Sequence, residues 1–214
     1  MTPALQSHAT LALCRLAPVI PVLVIDDPDD APELAAALVA GGLPVLEVTL
    51  RTPRALDAIA AMTAVPGARV GAGTVLSAHD AARARSAGAA FAVSPGSTPA
   101  LVSACVAQAL PLLPGAATAS EVMALMETGY RTLKFFPAQA AGGVEMLQAL
   151  RGPLPQASFC PTGGLTEGNA ADYLNLQNVA CVGGSWVTPA SLVKARDWEA
   201  ITHLARKAAA LPRD

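Results

Sequence analysis

The stretch VLEVTLRT (residues 45–52), followed from Pro53 by PRALDAIAAMT (residues 53–63), holds the pattern that decides the fold. A short apolar run is followed at once by an Ala/Leu-rich segment of helical period. Thr52-Pro53 between them suits a helix cap or first turn. Strand side chains alternate between faces, so Glu47, Thr49 and Arg51 share one side of the run while Val48 and Leu50 share the other.

The same unit recurs along the chain, although not at a fixed period. Predicted strands are 19–25, 45–50, 69–75, 91–94, 111–113, 132–136, 158–160 and 179–182. Helical segments begin near Pro32, Pro53, Ala78, Thr98, Thr118, Val144, Glu167 and Asp197. Most of the strands are continuously apolar, which signals a parallel sheet covered on both faces. Strand–helix alternation of this kind predicts an α/β fold, a single (β/α)8 TIM barrel. An open doubly wound sheet fits the same periodicity. Residues 1–17, helical over 7–16, are expected to add an N-terminal helix covering one end of the barrel. No linker, charge run or low-complexity block divides residues 1–214, so one domain is expected.

Composition agrees with a large core. Of 214 residues, 53% are hydrophobic and only 14% are charged, against about 25% charged in ordinary soluble domains. Strands covered on both faces, or surface hidden in an oligomer, would account for this. The formal net charge of −2 gives no reason to expect nucleic acid. Cys14, Cys105, Cys160 and Cys181 show no C-x-x-C spacing and read as free thiols in a reducing cytoplasm. No signal peptide is evident. Residues 86–120 carry no charge, but Pro95, Pro99, Pro111 and Pro114 cut them into pieces. A membrane helix needs about 20 continuous apolar residues, so no membrane association is expected.

Chemistry is expected where polar groups interrupt buried strands. Lys134, one of three lysines, sits inside Thr132-Leu133-Lys134-Phe135-Phe136-Pro137, and it alone lies in a predicted strand. Burial favours the neutral amine, the form that attacks a carbonyl. The same placement fits a structural ion pair of Lys134 with Glu47. Arg51 reads either as a solvated strand-end cation or as a fork gripping a carboxylate. Phe136 shares the Lys134 face. Two glycine pairs, in Pro161-Thr162-Gly163-Gly164 and Val182-Gly183-Gly184-Ser185, follow the last two predicted strands, where barrels often bind phosphate; either pair is also an ordinary turn. His8, His79 and His203 are not spaced as ligands, and no metal site is expected.

Taken together and in order, seven segments resemble the 2-keto-3-deoxy-6-phosphogluconate (KDPG) aldolase family. They are Gly41-Gly42 with VLEVTLRT (45–52), GAGTVL (71–76), Ser94-Pro95-Gly96, PLLPG (111–115), KFFPA (134–138), FCPTGG (159–164) and VGGSW (182–186). Some members also act as 4-hydroxy-2-oxoglutarate (KHG) aldolases. The resemblance spans essentially the whole chain and implies a cytoplasmic homotrimer of barrels in the Entner–Doudoroff pathway. Its members cleave the phosphorylated 2-keto-3-deoxy sugar acid to pyruvate and glyceraldehyde 3-phosphate, without a cofactor. It further implies that Lys134 forms the Schiff base, Glu47 moves protons and Arg51 holds the pyruvyl carboxylate. Thr74 and Pro95 would help at that end, Phe136 and Thr162 would contact substrate, and Gly163, Gly164, Gly184 and Ser185 would receive the phosphate. Gln139 and Ala141 depart from the acidic residue and asparagine often found after KFFPA. Thr162 favours the gluconate over the galactonate epimer. Three alternatives stay open: a galactonate-phosphate aldolase, a phosphosugar isomerase or epimerase with Glu47 as base, and a non-catalytic phosphosugar-binding barrel.

Overall fold

The computed structural model describes residues 1–212 and is an α/β structure with parallel strands throughout. In chain order the elements are α1 (Pro3–Cys14), β1 (Val19–Leu23), α2 (Ala31–Ala40), β2 (Val45–Thr49), α3 (Ala55–Thr63), β3 (Arg69–Gly73), α4 (Ala78–Ser86), β4 (Phe91–Val93) and α5 (Pro99–Ala107). Then follow β5 (Leu112–Leu113), β6 (Gly115–Ala116), α6 (Ala119–Thr128), β7 (Thr132–Phe135), α7 (Gly143–Arg151), β8 (Ser158–Pro161), α8 (Ala170–Leu174), β9 (Val182–Gly184), α9 (Ala190–Ala195) and α10 (Trp198–Ala209).

Six strands form one sheet in the order β5-β4-β3-β2-β1-β9, and three form another in the order β6-β7-β8. The break between β5 and β6 is Pro114, which has no N–H to give to a ladder. Its carbonyl instead accepts from Lys134 N at 2.8 Å, so the chain continues directly into pairing with β7. Between β8 and β9 there are only two isolated parallel bridges, Phe159 with Val179 and Thr162 with Gly183. The parallel α/β architecture stands, while an unbroken ladder around eight strands does not.

Several boundaries differ from those predicted, four of them for identifiable reasons. The N-terminal helix starts at Pro3, not Ser7, because Thr2 caps it by accepting from Leu5 N. It ends at Cys14. Thr52 is not the cap of α3; its hydroxyl reaches back across to the Ile25 carbonyl at 2.6 Å, and the helix begins at Ala55. The last strand is Val182–Gly184 instead of 179–182, so Gly183 and Gly184 are strand residues and not a turn. A side chain at Gly183 would overlap Thr162, and one at Gly184 would overlap the Trp186 ring. The short helix α9 carries no periodic signal long enough to predict it. By contrast Thr98 and Thr118 cap α5 and α6 as expected, the latter in a full capping box with Glu121.

Alternation along the strands separates two cores. Leu46, Val48, Leu133 and Phe135 pack outward under the helices in the large cluster. Ile20, Val45, Phe91, Val93, Leu113, Cys160 and Cys181 point inward and form a smaller cluster with Cys14 of α1. Glu47 and Lys134 stand on the inward face, above that apolar floor. Among the described residues no helix is long and apolar enough to cross a membrane.

Candidate active site

Lys134 is the third residue of β7, paired in register with Gly115 on one side and Cys160 on the other. Its Nζ lies 3.1 Å from Glu47 Oε1, and both residues are almost fully enclosed, 5% and 3% exposed. The ammonium also stands 5.2 Å from the centre of the Phe136 ring, within the range of cation–π attraction. The Phe136–Pro137 peptide bond is cis. A buried lysine–carboxylate pair with, among the described residues, no further polar partner on the amine is a poor stabiliser, since desolvation offsets much of the Coulomb gain. An amine held against a carboxylate can instead serve as a nucleophile beside a proton acceptor.

Glycine makes room for this pair. Gly73, paired with Thr49 across β2 and β3, lies directly against the Glu47 carboxylate, and any Cβ there would overlap it. Thr74, the next residue, has φ 58°, a left-handed conformation that is costly for a β-branched side chain. Such strain concentrates at ligand sites. Gly115, opposite Lys134, serves similarly: a Cβ would strike the Pro95 backbone, so the Ser94-Pro95-Gly96 turn packs onto the strand beside the lysine.

Arg51 stands in the turn after β2, exposed, with its Nε donating to Thr49 Oγ1 at 3.1 Å. Among the described residues no carboxylate forms an ion pair with it. Thr162 is buried at the end of β8; its backbone pairs with Phe135 and Ala138, and its side chain packs on Gly183. Gly163 and Gly164 follow with φ 100° and 79°, a conformation that favours glycine. Gly164 sits against Gln139, whose side chain accepts from the Tyr173 hydroxyl at 2.9 Å. Gly184 closes β9, and Ser185 is exposed just beyond it. Ser185 also borders a cleft of about 450 Å³ with Val22, Ile25, Thr188 and Lys194; Lys134, Glu47 and Arg51 do not line it.

The arrangement therefore brings Lys134, Glu47 and Phe136 into one cluster. Arg51 stands beyond the end of Glu47's own strand, β2, and Thr74, Pro95 and Thr162 beyond the ends of β3, β4 and β8, with the two glycine segments near β8 and β9. Sequence reasoning missed Gly73, Gly115 and Gly183, whose role is to be small where another strand's side chain or backbone crosses. Cys160, expected as a free thiol, packs in a cluster with Cys14 and Cys181. Hydrogen bonds with Cys14 and Cys181, and then the charge of Lys134, hold its thiol below the ordinary range; contact with Cys160 pushes Cys14 up, and contacts with Cys14 and then Cys160 push Cys181 up. Among the described residues no three His, Cys, Asp or Glu side chains are arranged to hold a metal ion.

Comparison with known proteins identifies relatives over nearly the whole chain. The KHG/KDPG aldolase of Escherichia coli (strain K12) is 52% identical over 192 residues, covering 89% of this chain and 90% of that protein. The structure of the 2-keto-3-deoxy-6-phosphogluconate aldolase of Zymomonas mobilis ZM4 with 3-phosphoglycerate superposes with a TM-score of 0.91 at 52% identity, covering 94% of this chain and 95% of that one. The Legionella pneumophila KDPG aldolase, with pyruvate captured at low pH as a covalent carbinolamine intermediate, gives 0.90 at 47% identity, covering 94% and 98%. The aldolase family described as KDPG and KHG aldolase matches residues 11–204. With a buried lysine against a carboxylate at its centre and this likeness over nearly its whole length, the chain belongs to the KDPG and KHG aldolase family.

Proposed function

We propose that this protein is a Schiff-base aldolase that cleaves 2-keto-3-deoxy-6-phosphogluconate reversibly to pyruvate and glyceraldehyde 3-phosphate. The observation that carries the reading is the buried contact of Lys134 Nζ with Glu47 Oε1. Lys134 attacks the keto carbon as a free amine and, with loss of water, forms an iminium. The iminium accepts the electron pair of the bond between the third and fourth substrate carbons as that bond breaks. Glu47, directly or through a water, takes the proton of the fourth-carbon hydroxyl, which becomes the aldehyde. The resulting enamine is protonated at the third carbon and hydrolysed to pyruvate, freeing Lys134. A positioned acid–base group of this kind contributes about 10²–10⁴-fold. No metal or cofactor takes part.

Arg51 grips the pyruvyl carboxylate, with Thr74 and Pro95 beside it and Phe136 against the pyruvyl carbons. Thr162 meets substrate hydroxyls, and Gly163, Gly164, Gly184 and Ser185 receive the phosphate. Residues 1–214 act as one aldolase domain. Its two sheets belong to one (β/α)8 barrel; the β5–Pro114–β6 continuity and the bridges between β8 and β9 support this. Helix α1 closes one end. We place the protein in the cytoplasm as a homotrimer serving the Entner–Doudoroff route, supported by its family. The double name of the E. coli relative favours 4-hydroxy-2-oxoglutarate as a second substrate.

A coupled lactate dehydrogenase assay tests the reading. Pyruvate should be released from the gluconate phosphate fastest, from 4-hydroxy-2-oxoglutarate more slowly, and from the galactonate epimer least, with no effect of a chelator. Pyruvate from neither of the first two would refute the aldolase reading in favour of an isomerase or a binding protein. A faster galactonate reaction would reassign the epimer.

A further inference from the structure

Thr49 is an inward-facing hydroxyl on β2 that none of the steps above uses, yet it is engaged on both sides. It donates to the Leu23 carbonyl at the end of β1 at 2.9 Å, and it accepts from Arg51 Nε at 3.1 Å. A threonine hydroxyl has one proton to give. With that proton committed to Leu23, the hydroxyl can only accept on the side that faces Arg51, so its rotor is fixed by the strand next door. Thr49 itself is 2% exposed, while Arg51 is open to solvent. The turn that carries Arg51 is tied separately, by Thr52 donating to the Ile25 carbonyl at 2.6 Å.

The guanidinium is planar, and Nε is the donor nearest its stem. Engaging Nε sets the plane of the fork and leaves both terminal nitrogens for a second partner. Those terminal nitrogens make the parallel pair of hydrogen bonds by which arginine holds a carboxylate. Orientation of this pair is costly to leave to chance, because the free arginine side chain has large rotamer freedom.

We infer that Thr49 is a positioning residue: through the chain Leu23 carbonyl, Thr49 hydroxyl, Arg51 Nε, it orients the arginine fork toward the substrate carboxylate. The inference rests on the reading of Arg51 as the carboxylate clamp. The competing explanation is that Thr49 only ties β2 to β1, in which case its loss acts independently of Arg51.

A double-mutant cycle separates the two, read as the pyruvate concentration giving half-maximal rate of borohydride inactivation. Thr49→Val keeps the shape and removes the hydroxyl. It should raise that concentration about tenfold, the scale of one hydrogen bond to a charged group, with the limiting rate unchanged. Thr49→Ser should return it close to the parent. Arg51→Ala should raise it further, and Thr49→Val added to Arg51→Ala should change nothing more. Thr49→Ala is carried in parallel, so that a folding failure of the valine variant leaves the cycle intact. Additive effects, or a lower limiting rate at unchanged half-saturation, would overturn the role of Thr49 while the clamp stands. Parent-like half-saturation in Arg51→Ala would overturn the clamp, and the positioning role with it.

Discussion

The two ends of the strands use their polar side chains in opposite ways. At the N-terminal end, α1 lies across the strand starts. Ser7 Oγ accepts from the amides of Arg131 and Thr132, each at 2.8 Å, and Thr132 donates back to the Ser7 carbonyl. Gln6 Oε1 accepts from the Tyr130 hydroxyl and from Leu112 N. Burial pushes the Tyr130 hydroxyl well above its ordinary pKa, and that of Cys105 up to about 11, so both stay neutral. Here the polar groups mend backbone that the end of a sheet would otherwise leave unpaired. At the C-terminal end, among the described residues, Lys134 and Glu47 are paired only with each other, the Arg51 fork is held by one nitrogen, and Thr74 keeps a strained backbone. On the proposed reading, polar groups at that end await a partner from outside the chain. Barrel-type enzymes divide stability and chemistry between their ends in the same sense.

The contrast can be broken by substitution, and the largest effect is expected at Lys134. Lys134→Met should reduce turnover to background and leave Glu47 buried without a partner, a loss of about 3–5 kcal/mol in stability. Adding Glu47→Leu should restore most of that stability in denaturant unfolding but none of the turnover. Recovery of activity, or no recovery of stability, would contradict the division. Next comes the opposite end: Gln6→Ala strips Tyr130 and Leu112 of their acceptor, and unfolding should show a loss of about 1–3 kcal/mol with kcat untouched.

A smaller effect with the reverse sign sharpens the comparison. Thr74→Gly relieves the left-handed backbone and should stabilise the fold by roughly 1 kcal/mol, while raising the half-saturating pyruvate concentration. A variant that is both more stable and fully competent would show that the strain has no function. The smallest effect lies on the rim. In the capping box of α6, the amide of Ala117, and then the hydroxyl and the amide of Thr118, hold the Glu121 carboxyl below its ordinary range. A depressed folded pKa stabilises above the unfolded value and loses that contribution as pH falls through the folded one. The residue is mostly exposed, so only a few tenths of a kcal/mol are at stake. Glu121→Gln should therefore be slightly less stable than the parent at pH 7, with the gap closing below about pH 4.

Much of the chemically important end was legible because strands impose a period of two. The alternation of VLEVTLRT puts Glu47 and Thr49 inward, and a lysine within an apolar run marks its own strand. The caps at Thr98 and Thr118 were legible because they are local. What escaped depends on contacts between segments far apart in sequence. Nothing near Gly73, Gly115 or Gly183 announces that a carboxylate, a proline backbone or a threonine will cross there. Cys14, Cys160 and Cys181 gather only because α1 reaches into the space that β8 and the chain before β9 enclose. Thr52 looks like a helix cap until the chain just after β1 offers the Ile25 carbonyl as a better acceptor. The last strand was misplaced because a glycine pair reads as a turn, whereas here its lack of side chains lets Thr162 and Trp186 fill the space.

The division of labour rests on one amine. Borohydride reduction in the presence of pyruvate, followed by peptide mapping, should place a single stable adduct on Lys134 and none on Lys194 or Lys207. An active preparation with no adduct, or with the adduct on either of the other lysines, would contradict the account.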